Sequence, residues 1–352
     1  MKPLTHARHA MLAFASRSGL FTLVGRTNWR RQRLCILCFH GIAIADEVRW
    51  RPGLYITLEQ FASRMSRLNA LGATVLSLDE GLRRLGEGTL PERAVVITFD
   101  DGGYDFHRQA LPVLSTHHFP ATLYLTTYYC GRDEPVLSLA ADYALWKSGL
   151  EVMAPWPELG IQEVGGLQSD VSRRKVANEI VAAMRRRESE PQGRNALLSE
   201  LVERVGVDLG AMRASRLLSI MSPDEVLDAS RTDVAIELHT HRHRTPRDRA
   251  AFLGELKENR DVIVRIVGRE PNHFCYPSGD VDPCMWPWLA DAGIRSATTC
   301  QVALAQDSSP RFALPRYLDS SMQVDASFDG WITGPAAFLS RPTPAPEQVY
   351  AT

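Results

Sequence analysis

No run of apolar residues in this 352-residue chain approaches the ~20 that a membrane-crossing helix needs. A block of one charge is missing as well: 40 Lys and Arg stand against 41 Asp and Glu, a formal net charge of −1. That balance supplies no electrostatic argument for a nucleic-acid partner and leaves a neutral or modestly charged substrate open. A four-sulfur metal site has no basis either. Of the six cysteines only Cys35 and Cys38 are closely spaced, and they sit inside the apolar run Leu34–Phe39. There they read as small buried hydrophobes, and unpaired cysteines favour a reducing compartment. The N-terminus carries Lys2 and Arg8, but its apolar stretch runs only from Ala10 to Ala15 before Arg17 interrupts it. A signal peptide wants roughly 7–15 uninterrupted apolar residues. Residues 1–33 therefore read as an amphipathic arm that packs on the domain or makes peripheral membrane contact. The expected location is cytoplasmic or peripheral to the inner membrane, with export left open.

What is present is ordinary globular composition, 45% hydrophobic and 23% charged. The length suits one large domain with an insertion, or two domains. From residue 34 apolar strands alternate with amphipathic helices. Leu34–Phe39 ends at His40-Gly41; Thr57-Leu58-Glu59-Gln60 is a capping box ahead of Leu58, Phe61, Met65 and Leu68 on one helical face. Ala73–Leu76, Ala94–Phe99 and Ala121–Thr127 read as strands, with helices starting at Ser77 and near Tyr104–Leu114. Ala94–Phe99 is apolar throughout, as in parallel strands covered on both faces. Between about 131 and 220 the rhythm changes to a charge-rich, mostly helical insertion. Ser222-Pro223-Asp224-Glu225 caps the next helix, followed by strands at Val234–Leu238, Phe274–Tyr276 and Arg295–Thr299 around a helix at Phe252–Ile266. Residues 336–352 form a proline-rich tail. This alternation predicts an α/β fold with a parallel sheet or barrel.

Chemistry concentrates at two strand ends. Thr98-Phe99-Asp100-Asp101-Gly102-Gly103 follows a buried strand directly, so consecutive carboxylates point different ways from the functional rim. One is available to a cation and the other to a proton. Glu237-Leu238-His239-Thr240-His241-Arg242-His243 follows another apolar strand. On a helix or tight turn His239 and His243 share a face, and two imidazoles with one carboxylate make a facial set with open positions.

Together these segments resemble the polysaccharide deacetylase family, also called the NodB-homology or carbohydrate esterase 4 family, in its exopolysaccharide-modifying subgroup. Thr98–Gly102 resembles its first motif and His239-Thr240-x-x-His243 its second. Phe274-Cys275-Tyr276-Pro277-Ser278-Gly279 is similar to its third, and Phe39-His40-Gly41-Ile42, the Leu58–Leu71 helix and Leu314-Pro315-Arg316 fit the subgroup. The likeness covers residues 34–130 and 222–332. It implies a distorted (β/α) barrel carrying the helical insertion, in residues 34–335. It also implies Asp100 as general base, Asp101, His239 and His243 as ligands of one divalent metal, and an acetylated glycan or lipid-linked sugar as substrate. Zinc is the expected metal, with nickel, cobalt, iron or manganese also suited to N/O ligands. The implied reaction is hydrolysis of an acetyl group, an N-acetyl of an amino sugar first of all, with Ser278 and Tyr276 at the oxyanion or substrate.

Two departures stand out. The family's third motif often carries an arginine that grips the base, and Phe274–Gly279 has none; Arg316 is the expected replacement. No histidine follows His273, where many members keep their catalytic acid. His40, His241 or Asp100 itself are left for that role. Tyr104, Tyr124, Tyr128, Tyr276, Trp286 and Trp288 are candidate sugar platforms. An amidohydrolase for cyclic amides would want an enclosed pocket, and a non-catalytic carbohydrate-binding relative would bind glycan without turnover.

Overall fold

The computed structural model of the protein describes residues 20–162 and 164–339. Eight strands form one all-parallel sheet: β1 (Cys35–Phe39), β2 (Thr74–Leu76), β3 (Ala94–Phe99), β4 (Ala121–Leu125), β5 (Val234–Leu238), β6 (His273–Cys275), β7 (Ser296–Thr298) and β8 (Tyr317–Leu318). Their order is β8-β1-β3-β4-β5-β6-β7, with β2 paired to the first half of β3. β1, β3 and β4 are buried at every residue, which is why they read as unbroken apolar runs. Helices such as Leu58–Ala70, with its Thr57–Gln60 capping box intact, and Arg249–Val267 cover the outside.

The ring closes irregularly. Thr298 bridges Leu314, Leu34 bridges Ala305, and β8, just beyond Arg316, pairs with β1. The result is a distorted (β/α) barrel whose strand C-termini share one rim. The helix expected at 104–114 begins as a π-turn, Phe106–Ala110, and continues as an α-helix over Leu111–His117. Such widened turns recur near functional sites.

The insertion holds four α-helices among the described residues, Leu137–Ser148, Asp170–Arg187, Pro191–Arg204 and Leu209–Ala214, around a core of its own. Trp156, Ile180, Met184, Leu198 and Leu201 are fully or almost fully buried there. Its returning end is stitched to the barrel: Gly103 bridges Ile220, Tyr104 N–H donates to Ser219 C=O (2.8 Å) and Met221 N–H to Gly102 C=O (3.0 Å).

Part of the N-terminal arm, residues 1–19, lies outside the described residues. The remainder packs on the domain. Phe21 is buried, and Arg30, fully buried, donates to the carbonyls of Ile332 (2.8 Å) and Ala94 (3.1 Å). At the other end the structure differs from the expected tail: Pro335–Phe338 forms a short helix and Ala336 is fully buried, so order extends past 336. The proline-rich residues 340–352 lie outside the described residues. No helix among those described is long and apolar enough to cross a membrane.

Because the insertion core is separate, its packing is testable alone. Leu198→Ala removes a side chain with no exposure and should cost about 2–5 kcal/mol of unfolding free energy in urea. An unchanged midpoint would show that this core adds nothing to the fold.

Candidate active site

Asp100 and Asp101 leave the end of β3 in opposite senses because their backbones differ. Asp101 takes a left-handed conformation (φ 72°), and so does Gly102 (φ 82°). A Cβ at Gly102 would lie 2.2 Å from Leu125 Cδ1, so only glycine fits that turn. Thr240 and His243 also have positive φ (59° and 53°), as does Ser278 (57°). Residues other than glycine rarely accept this backbone, at roughly 1–2 kcal/mol each, and strain of this kind gathers at functional sites.

The two carboxylates meet different company. Asp100 is buried and gripped at both oxygens by Arg316, Nη1 to Oδ1 and Nη2 to Oδ2, each at 2.7 Å. The remaining donors of Arg316 reach Thr299 C=O (2.9 Å), Thr98 Oγ1 (3.2 Å) and Cys275 Sγ (3.2 Å). Burial works against the carboxylate charge, but the guanidinium outweighs it and holds Asp100 well below the ordinary carboxylate range. His40 Nε2 approaches Asp100 Oδ2 to 3.6 Å. Burial lowers the His40 pKa against the pull of Asp100, which favours the neutral ring.

Asp101 faces two imidazoles, His239 Nε2 at 3.2 Å and His243 Nε2 at 3.1 Å from Oδ1. Burial again opposes ionisation, and the two rings prevail, holding the carboxyl well below its usual range. Oδ1 nevertheless has no hydrogen-bond partner although buried, and the three ligand atoms converge within 4.8 Å. An orphaned carboxylate oxygen between two imidazole nitrogens is what a divalent cation satisfies. His239 Nδ1 lies 2.8 Å from Cys275 C=O, which requires a proton on Nδ1 and turns the Nε2 lone pair to the triad. The donor set fits a metal.

The second motif is a tight turn, not a helix, and its middle histidine points away. His241 Nδ1 pairs with Thr127 Oγ1 (2.8 Å) and Nε2 faces Glu258 (3.5 Å). His273 is held by Ser296 (2.8 Å) and Asp79 (3.0 Å), away from the centre. Glu237 accepts the N–H groups of Asn272 and His273, both at 2.7 Å, and so joins β5 to β6. Ser278 is half-buried on its left-handed turn.

Tyr276 requires a correction. Its ring is buried against Phe274 (centroids 4.9 Å), its hydroxyl donates to Phe312 C=O (3.0 Å) and its N–H to Thr298 C=O (3.3 Å). With both donors committed to the core, it faces neither substrate nor oxyanion. Most of the candidate platforms go the same way: Tyr124 is fully buried, Tyr104 is covered by Arg216, and Trp286 and Trp288 pack on the barrel core. Of the six, only Tyr128 lines the cleft beside the triad.

Positioning groups were missed in the sequence. Asn259 accepts from His239 N–H (3.0 Å) and donates to Leu125 C=O (2.9 Å) and Thr127 Oγ1 (3.0 Å), linking two strand ends. Its signal was an amide on the apolar stripe Phe252, Leu256, Ile263 of its helix. Glu255, almost fully buried, accepts from Arg242 N–H (2.8 Å) and Arg244 Nε (2.7 Å) and fixes the turn from outside.

The polysaccharide deacetylase family profile matches residues 87–153 and 197–297, bracketing the triad and Asp100. The chain belongs to the polysaccharide deacetylase family. Poly-beta-1,6-N-acetyl-D-glucosamine N-deacetylase of Staphylococcus epidermidis is 37% identical over 76 residues, 22% of this chain and 26% of that protein. The Staphylococcus aureus protein of the same name is 32% identical over 78 residues. The match thus spans about a quarter of these curated relatives. Over the whole fold, IcaB from Ammonifex degensii superposes with a TM-score of 0.54 at 16% identity, covering 86% of this chain and 98% of that one. The Streptococcus pyogenes deacetylase PplD, solved in complex with acetate, gives 0.54 at 15% identity, covering 82% and 93%. At such identities the likeness is one of fold.

The Asp100–Arg316 pair generates a prediction. In Arg316→Gln, burial acts on Asp100 without its opponent, so the carboxyl pKa rises. The depressed folded-state pKa means that the pair's stabilisation is fully present above the ordinary carboxylate range and is lost as pH falls below that range and through the depressed folded-state value. The variant should lose about 3–5 kcal/mol at neutral pH, less in acid, and move the acid limb of any pH–rate profile upward. Equal stability with an unmoved acid limb would refute the assignment.

Proposed function

We propose that this chain is a metal-dependent hydrolase that removes acetyl groups, N-acetyl first of all, from an amino sugar in a polysaccharide or glycan precursor. The observation that carries the reading is the division between neighbours. Asp101 joins His239 and His243 in a cation site, while Asp100 stands apart, ionised and clamped by Arg316. Family membership and the short match to the staphylococcal N-deacetylases support the sugar substrate.

A divalent cation held by Asp101, His239 and His243, zinc in preference to nickel, cobalt, iron or manganese, would supply Lewis-acid activation of the acetyl carbonyl and of water. The chain's own residues do the rest. Asp100 takes the proton from the attacking water, at the Oδ2 that His40 approaches. Arg316 keeps that carboxylate ionised and in one orientation, so it is ready as a base at neutral pH. The backbone N–H of Ser278, presented by its left-handed turn, donates to the developing oxyanion. As the C–N bond breaks, the amine requires a proton. His40, neutral at rest and beside Asp100, relays it from the protonated carboxyl and returns to its starting state. Acetate and a free amino sugar result.

The test is acetate release, with mass spectrometry of the sugar, from N-acetylglucosamine oligomers of β-1,4 and β-1,6 linkage and from O-acetylated analogues. A chelator should abolish release and added zinc restore it. Asp100→Asn should keep its metal content while losing about 10²–10⁴-fold in kcat. His40→Gln should lower kcat with little change in KM. The reading fails if metal-loaded protein frees no acetate from any of these substrates.

A further inference from the structure

Between the barrel rim and the insertion lies a cleft open to solvent, and Asp101 and His243 form part of its wall. The far wall is the helix Asp170–Arg187, which presents Arg174, Asn178 and Arg185 to the cleft. Steps of four and seven residues keep these three on one helical face. The opposite face, with Val176, Ile180 and Met184, is buried in the insertion core. Packing the insertion therefore does not require arginine at 174 or 185.

Charge on this wall is uneven. Four arginines line the cleft, Arg51, Arg174, Arg185 and Arg242, against two acids, Asp101 and Asp142. Asp142 is taken by Arg51, and Asp101 by the triad. Arg242 is paired with Glu255 and Glu258. Arg174 and Arg185 form no ion pair among the described residues. In a chain of net charge −1, two guanidinium groups without an ion pair in the cleft that Asp101 and His243 also line are a local excess. Guanidinium is the side chain best shaped to grip an oxyanion bidentately. Val136, Leu139 and Ile220 add apolar lining to the same cleft, which suits a sugar ring's carbon face.

We propose that the substrate carries an oxyanion, a carboxylate or a phosphate, on or next to the acetylated sugar, and that Arg174 and Arg185 of the insertion bind it. This rests on the deacetylase reading and narrows its substrate to anionic saccharides. Three probes separate the sources of charge: a neutral N-acetylglucosamine tetramer, a tetrasaccharide alternating N-acetylglucosamine with glucuronate, and UDP-N-acetylglucosamine.

Two measurements on the metal-loaded full chain decide the matter. The first is kcat/KM for each probe with wild type, Arg174→Ala/Arg185→Ala and Arg174→Lys/Arg185→Lys. At least one anionic probe should exceed the neutral one, and the alanine pair should lower that ratio by ~10-fold or more. The lysine pair, which keeps the charge, should retain part of the preference. The second is calorimetric binding of the probes to Asp100→Asn at low and high salt, which reads recognition without turnover. Affinity for the preferred anionic probe should fall as salt rises, while affinity for the neutral tetramer stays level. Thermal melts of all variants control for folding. A wild type that binds and processes neutral and anionic probes alike overturns the proposal, as does a ratio unmoved in the alanine pair. Salt-sensitive binding without acetate release would instead sink the deacetylase reading and leave the anion site standing.

Discussion

Everything at the rim is arranged around one buried ion pair, Asp100 with Arg316. Taking two charges out of water is costly, and a buried pair persists where its geometry is bidentate and its remaining donors are used. Both conditions hold here: both carboxylate oxygens are gripped, and the rest of the guanidinium reaches Thr299, Thr98 and Cys275. The pair also joins two distant parts of the chain. Asp100 directly follows β3, while Arg316 sits on the irregular segment that closes the ring between β7 and β8. The contact that keeps the Asp100 carboxylate ionised therefore also fastens the barrel at its least regular point. A lysine could keep the charge there but not the paired hydrogen bonds.

The second constraint is backbone handedness. Two adjacent carboxylates can take opposite roles only if the chain turns abruptly between them. Asp101 and Gly102 accomplish this by entering left-handed conformations in succession, with Leu125 closing off any side chain at 102. The histidine turn uses the same device at Thr240 and His243. Asn259 and Glu255, both buried on the Arg249–Val267 helix, hold that turn by hydrogen bonds from two sides. Strained backbone survives where surrounding contacts over-determine it.

How much of this was legible in the sequence follows from the range of each interaction. Strands β1, β3, β4 and β5 were readable because burial on both faces leaves an apolar run, and Asp100, Asp101, His239 and His243 were readable because each lies next to such a run. Arg316 is 216 residues from Asp100; it was reachable only through the arginine that the third motif lacks. Tyr276 failed for the opposite reason. Proximity to a motif says nothing about which way a ring turns, and this one is buried against Phe274 with its hydroxyl on Phe312 C=O. Asn259 was hidden because an amide on an apolar stripe looks like a defect until the carbonyls it serves are located. The aromatic platforms were over-read, since most aromatic surface in a barrel is spent on its interior.

The insertion was legible as a helical departure but not as part of the site, and its hydrogen bonds explain why it belongs there. Its returning segment does not merely rejoin the barrel. Ser219, Ile220 and Met221 pair with the backbone of Gly102, Gly103 and Tyr104, in the same turn that orients Asp101. On the outgoing side, Thr126 N–H donates to Asp101 C=O (3.1 Å), just before the chain enters the insertion. Both ends of the insertion are thus anchored within the turn that carries the metal-facing carboxylate. The insertion is tied to that turn at two points, and its helix Asp170–Arg187 lines the same cleft as Asp101 and His243. Recognition by that helix and chemistry at the rim then share one frame, and a substrate group gripped by the insertion arrives with its neighbour already placed over the triad.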